Sequence, residues 1–295
     1  MKRDEGINII TFCLVGNLIL MLLKGAVGLA VGSQVLRADA VNSAGDAMSS
    51  FAVLLGLRYA MRPRDEDHHY GHGKMEALVS LFVGIAILVG IGFLVSDIVQ
   101  GFVHCAQTEP SFIALGAAAV SIALKAVMYK KTYASGNRLN SIAIMTSAKD
   151  HRNDIYATSG AAVAILLAFA GQRFGVRMLL LYAEPIIAAI MSLFIVKTAI
   201  EIIIEASRML LDAAPDKKTV DDMGRIARET EGVHSLNWAN MRKMGRGMLV
   251  DVAVEVDGSI SVLKGHDIGD KVKDAIMARY PEVIDVVVHI NPGEN

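Results

Sequence analysis

Long uncharged apolar runs fill the first two-thirds of this chain, and such runs have few places to go. About 20 helical residues cross a hydrocarbon layer roughly 30 Å thick. Residues 7–23 carry no charge, and the apolar texture continues past Lys24 to Val31. Residues 77–96 and 155–172 carry none, while 40–57 carry only Asp46, 111–128 only Lys125 and 178–196 only Glu184. Six transmembrane helices are the expected arrangement. Bulk composition is less informative, because 53% hydrophobic and 20% charged residues are near the values of ordinary soluble proteins. Segregation of the two kinds of residue decides the matter: neither a disordered chain nor one soluble core is written this way.

The formal charge of −1 offers no basic field for nucleic acid. Cys13 and Cys105 lie in or beside apolar segments without a CxxC partner, which argues against a disulfide framework or a thiolate metal site. The opening MKRDEG followed by an apolar run resembles a secretory signal. The run is long enough to span, however, and lacks a convincing small-residue cleavage site, so it reads as a true helix. Lys2 and Arg3 at the start, Arg62, Arg64 and Lys74 in the second loop and Lys130, Lys131 and Arg138 in the fourth place these segments on one side. Residues 104–110 of the third loop carry no Lys or Arg, and the first loop has only Arg37; Arg173 and Arg177 in the fifth cut mildly the other way. By the positive-inside rule both termini should be cytoplasmic, with the chain in the cell's inner (plasma) membrane.

From about Pro215 the texture changes. Val220, Met223, Ile226 and Ala227 recur at helical spacing in a charged stretch. Residues 248–256 alternate, with Leu249, Asp251, Ala253 and Glu255 on one face and Val250, Val252, Val254 and Val256 on the other, which predicts a half-buried strand. Residues 268–280 read as a helix, 283–290 as a second strand and 234–242 as a weaker one. The order αββαβ predicts a small soluble α+β domain. The chain thus divides into a membrane domain, residues 1–211, and a cytoplasmic domain, residues 212–295.

Carboxylates inside membrane helices are costly and mark function by default. Asn42 and Asp46 stand four residues apart in the second helix, and Asp150 and Asp154 four apart at the start of the fifth. Residues at i and i+4 share a helix face. If the two faces meet, four oxygen-bearing side chains converge, three of them carboxylates that need a cation or protons to stay together. Amide and carboxylate oxygens are hard donors suited to Mn²⁺, Mg²⁺ or Ca²⁺, whereas zinc usually recruits imidazole or thiolate. His151 is rotated about 100° from Asp150 and should face elsewhere. Lys24 and Lys125 are expected to snorkel. Glu184-Pro185 is read as the head of the sixth helix, and Trp238 as a core or dimer-interface anchor.

At these residues the sequence resembles the cation diffusion facilitator family of metal/proton antiporters. The resemblance is carried by GSQVLRADAVNSAGD, HHYGHGKMEAL, the DHRND cluster and LLDAAPD, and it covers nearly the whole chain. It implies a homodimer working by alternating access, with a ferredoxin-like cytoplasmic domain. It assigns the transport site to Asn42, Asp46, Asp150 and Asp154. Zinc-type members carry His where this chain has Asp150, and bacterial manganese exporters look like this sequence. The resemblance also implies a loop metal site at Asp65, His68 and His72, and an interlocking charge pair of Lys74 with Asp212 at the dimer contact. In the cytoplasmic domain only His266 and His289 match the histidines of the zinc-type binuclear cluster; Asn237, Ala253 and Asn291 stand at its other ligand positions. A weaker site using His266 and His289 is the most these residues allow. The expected function is therefore export of Mn²⁺ from the cytoplasm against H⁺, with no resident cofactor and no enzyme activity. The alternatives are a member exporting Fe²⁺ or Zn²⁺, or a non-transporting membrane scaffold. Relatives from magnetic-particle organelles, which help load iron, have a loop similar to HHYGHGK.

Overall fold

The computed structural model describes residues 2–59, 65–103, 110–139, 142–245 and 247–293. Arg62, Arg64 and Cys105 lie outside the described residues. Six long helices come first: α1 (Lys2–Ala30), α2 (Gln34–Tyr59), α3 (Met75–Val103), α4 (Phe112–Leu139), α5 (Ile142–Phe174) and α6 (Arg177–Leu210). Among the described residues, five of these, all but α2, are long and apolar enough to cross a bilayer. At 26 residues α2 has the length. Arg37, Asp39, Asn42, Ser43 and Asp46 within it dilute its hydropathy. The chain separates into two compact units, Met1–Leu55 with Ser80–Ile203 and Gly56–Val79 with Ile204–Asn295.

In the first unit the helices meet through small residues. Ala114, Ala117 and Ala118 of α4, Ala161 and Ala164 of α5 and Ala188 of α6 are buried in one cluster with Leu36, Leu94 and Ile165. Lipid is as apolar as leucine, so association in a bilayer relies on close backbone approach, which alanine permits. Large apolar side chains point outward instead: Leu29 is 72% and Phe93 77% exposed, and Leu193 and Phe194 are exposed as well. Such a surface suits hydrocarbon and would be a liability in water.

Two expectations are corrected here. The sixth helix begins at Arg177, so Pro185 lies well inside it and does not mark its head. Glu184 beside it is buried and closes a helix end. Its carboxylate accepts from Ser33 Oγ at 2.6 Å and from the backbone N–H groups of Gln34 and Val35. Those N–H groups are orphans of the α2 N-terminus, where a negative charge is favoured. Lys24 and Lys125, in turn, do not snorkel; both are fully buried.

The second unit contains the tail: α7 (Lys217–Glu229), β1 (Ser235–Met244), β2 (Gly247–Asp257), α8 (Val262–Arg279) and β3 (Val283–Gly293). The sheet order is β1-β2-β3, with β2 antiparallel to β1 and parallel to β3, so α8 is the crossover. The valines of β2 predicted on one face, Val250, Val252, Val254 and Val256, pack with Met223 and Ala227 of α7 and Ile268, Val272 and Ile276 of α8. Asp216 caps α7 by accepting from Thr219 N at 3.0 Å and Thr219 Oγ1 at 2.7 Å. α8 starts before the expected Ile268, at Val262 behind a Ser261 cap. Trp238 is not a core residue. It pairs with Ala253 on the sheet face opposite the helices and is 43% exposed.

Candidate metal centre

Lys125 of α4 stands at the centre of the buried polar residues of the first unit. Its Nζ donates to Asp46 Oδ2 at 2.8 Å, Asp154 Oδ2 at 2.5 Å and Asn17 Oδ1 at 2.9 Å. Asn42 Nδ2 donates to the other oxygen of Asp154 at 3.0 Å. Four helices therefore meet here: α1 through Asn17, α2 through Asn42 and Asp46, α4 through Lys125 and α5 through Asp154. The i,i+4 spacing puts Asn42 and Asp46 on one face of α2.

Asp150 stays outside this group. It is exposed, one turn before Asp154, and among the described residues it joins no hydrogen bond or ion pair of the cluster. The physical reason is charge: one ammonium compensates two carboxylates and has no N–H left for a third. Lys125 is the residue that sequence reasoning missed. A lone lysine in an apolar run carries no periodic signal, and its partners are 79 and 29 residues away.

His151 turns toward α1, where Nε2 lies 3.3 Å from Cys13 Sγ. Its Nδ1 is nevertheless 3.9 Å from Asp154 Oδ2, so it borders the cluster more closely than its rotation on the helix suggests. A second buried group sits two turns N-terminal on α2. Lys24 Nζ is 2.7 Å from Asp39 Oδ2, with both side chains fully buried, and it donates to Ser43 Oγ and Thr158 Oγ1. Thr158 Oγ1 donates to the same Asp39 oxygen at 2.9 Å.

In the second unit Asp65, His68 and His72 come together, with their potential ligand atoms all within 4.8 Å of one another. Asp65 Oδ1 accepts from the N–H groups of Asp67 and His68, an Asx-type turn that fixes the loop, and lies 3.0 Å from His68 Nδ1. His72 Nε2 is 3.3 Å from Asp65 Oδ2. Partial desolvation pushes the Asp65 carboxyl upward, but the ring and backbone N–H of His68 and the charges of both histidines outweigh it and hold the carboxyl below its ordinary range. One carboxylate and two imidazoles could hold a divalent ion such as zinc or manganese.

Lys74 Nζ reaches Asp212 Oδ1 at 2.9 Å and the Leu210 carbonyl at 3.4 Å. Asp212, just past the end of α6, adopts a left-handed conformation, φ 57°, and the cation beside it also serves the helix C-terminus. His266 is exposed, 3.4 Å from Asp270, and His289 is exposed opposite Ala253 on β3. Among the described residues no three-ligand group includes either of them. Where a zinc-type cluster would need ligands, Asn291 Nδ2 donates to Asn237 Oδ1 and Asn237 Nδ2 to Glu255 Oε1, an amide–carboxylate chain.

A multi-pass membrane protein with buried oxygen-donor side chains between its helices, followed by a small α+β domain, is the kind of molecule that carries ions. Comparison with known proteins gives the family. Residues 10–211 match the model of the cation efflux transmembrane domain, and residues 215–293 match that of the cation efflux protein cytoplasmic domain. This chain belongs to the cation efflux family, whose members are transporters and not enzymes. Similar proteins include the manganese efflux system protein MneP of Bacillus subtilis, 32% identical over 95% of this chain and 93% of that one. The manganese efflux system protein MneS of the same organism is 30% identical over 94% of this chain and 92% of its own length. The magnetosome protein MamB of Paramagnetospirillum magneticum is 26% identical over 99% and 96%.

Proposed function

We propose that this protein exports Mn²⁺ from the cytoplasm in exchange for H⁺, as a homodimer in the plasma membrane with both termini inside. Residues 1–211 form the transport domain, and residues 212–295 a cytoplasmic domain for dimerisation and regulation. Asn42, Asp46 and Asp154 are the core of the cation site, and Asp150 joins them when the ion is bound. The observation that carries this reading is the meeting of Asn42, Asp46 and Asp154 in one group around a buried cation, the ammonium of Lys125. The ligand chemistry favours a hard dication. Two relatives named for manganese efflux favour the same ion.

Proton and metal compete for the same carboxylates, which suffices to couple their movements. The metal enters from the cytoplasm as protons leave. The helices then open the site outward, and protons arriving there release the metal. The step needs different affinities in the two states. Asp65, His68 and His72 hold a second ion near the cytoplasmic surface, Lys74 and Asp212 lock the chain at the dimer contact, and His266 and His289 stay outside the transport reaction.

Proteoliposomes with an imposed pH gradient test this. Mn²⁺ flux with H⁺ counter-flux is expected, above that of Fe²⁺, Zn²⁺ or Co²⁺, and it should vanish in Asp46→Ala and Asp154→Ala while the dimer persists in size-exclusion chromatography. Full transport in either variant rejects the site; a flux preference for another metal rejects manganese.

A further inference from the structure

The position of Lys125 needs an account of its own, one that rests on the reading of Asp46 and Asp154 as cation ligands. A lysine ammonium is almost never fully buried unless paired, and within a membrane domain the cost is greater still. Lys24 answers that cost as a strut does: it pairs with Asp39, which is no part of the cation site, and with two hydroxyls. Lys125 does something different. Both carboxylates it touches belong to the proposed ligand set, and its third N–H goes to the Asn17 amide oxygen.

The ammonium nitrogen lies 2.8 Å from Asp46 Oδ2 and 2.5 Å from Asp154 Oδ2. Hard dications sit about 2.0–2.6 Å from their oxygens. The nitrogen therefore lies within a few tenths of an ångström of where a dication bridging the same two oxygens would sit, and two cations cannot share that space. We propose that Lys125 is a built-in counter-cation, which fills the metal's place between Asp46 and Asp154 in the metal-free carrier and, when the divalent ion enters, gives up both carboxylates while it keeps its bond to Asn17.

A tethered competitor acts at a high effective concentration set by its tether. It keeps Asp46 and Asp154 from repelling each other while the site is empty. It also limits how tightly the metal is held, which favours release. The ammonium keeps its charge throughout and changes only its acceptors. When the metal is in, Asp46, Asp154, Lys125 and the dication sum to one positive charge, and Asp150 one turn away supplies the compensating negative one.

The test is equilibrium Mn²⁺ binding to the purified full-length protein in detergent at pH 8, where protons compete least, together with Mn²⁺ transport in proteoliposomes. Lys125→Met should bind Mn²⁺ at least tenfold more tightly, with KM and maximal rate both lowered because the ion is held. A merely structural lysine would give weaker binding or none. Asn17→Leu keeps the lysine but removes the one acceptor left to it when the metal takes the carboxylates, and should weaken Mn²⁺ binding several-fold. Unchanged or weaker binding in Lys125→Met, in a background where Asp46→Asn abolishes binding, overturns the counter-cation and leaves the site standing. Normal binding in Asp46→Asn overturns the site itself. If Lys125→Met does not fold, Asn17→Leu decides: unchanged or tighter binding there overturns the proposal.

Discussion

Removing one member of the Lys24–Asp39 pair should unfold the membrane unit more readily than removing both. The ions are 2.7 Å apart with neither side chain exposed. At an effective dielectric near 20 their attraction is about 6 kcal/mol. Desolvation costs several kcal/mol for each ion, so the pair as a whole adds little net stability. A single loss is another matter. Asp39→Leu leaves the Lys24 ammonium with only Ser43 and Thr158 hydroxyls, and Lys24→Met leaves the Asp39 carboxylate with only Thr158. Leaving one charge buried and unpaired costs about 3–5 kcal/mol. For a bundle of this size each kcal/mol moves the midpoint by roughly 2–4 °C. Each single variant should therefore melt roughly 6–20 °C below the wild type in detergent, followed by fluorescence-detected size-exclusion chromatography. The double variant Lys24→Met/Asp39→Leu should recover most of that loss. If the double variant loses the sum of the two singles, the ions are not coupled and the reasoning is wrong.

Further outcomes follow from the same physics. Asp150→His places an imidazole beside the oxygen donors and should shift liposome flux toward Zn²⁺; an unchanged Mn²⁺ preference in a competition assay refutes the ligand-hardness argument. Asp216 is held below the ordinary carboxylate range by Thr219, Asp222 by Tyr280 and Arg225, and Glu255 by Ser235 and Asn237. A carboxyl with a depressed folded pKa stabilises above its unfolded pKa, near 4, and that contribution disappears as pH falls through the folded value. The cytoplasmic domain should thus be stable to about pH 4–5 and lose stability below, with a shallower acid limb in Asp222→Asn, read by the emission of Trp238, the chain's one tryptophan. Gly232 has φ 95°, and a Cβ there would come within 2.7 Å of Ile268 Cδ1. Gly232→Ala should cost about 1–3 kcal/mol, seen as a lower melting midpoint by the same emission.

What could be read in advance tracks how local the physical signal is. The two faces of β2 followed from strict alternation, because one face had to be apolar to meet α7 and α8. Run length gave six candidate spans, of which five, all but α2, are long and apolar enough to cross a bilayer among the described residues. The start of α8 was hidden because its first residues, Val262 and Leu263, are apolar yet exposed, so the buried stripe begins later than the helix. The i,i+4 pair of α2 does meet Asp154 of α5 around one group, while Asp150, the other half of the α5 pair, stays outside it. The lysines could not be placed this way. Burial of a charge depends on partners distant in sequence, and no period or motif within α1 or α4 announces them.

Those lysines also explain how α2 can lie among membrane helices at all. Its composition excludes it from the apolar spans, because Asp39, Asn42 and Asp46 recur along one side. Each of its two carboxylates meets an ammonium from another helix, Lys24 of α1 for Asp39 and Lys125 of α4 for Asp46. Paired in this way, the polar row need not face lipid. The two pairs differ in what else their carboxylates touch. Asp39 is held through its Oδ2 by Lys24 and Thr158, while Asp46 shares its ammonium with Asp154 of α5. On the proposed transport reading, α2 carries one fixed charge pair, Asp39 with Lys24, and one exchangeable pair, Asp46 with Lys125. In α2 these stand two turns apart on the same face.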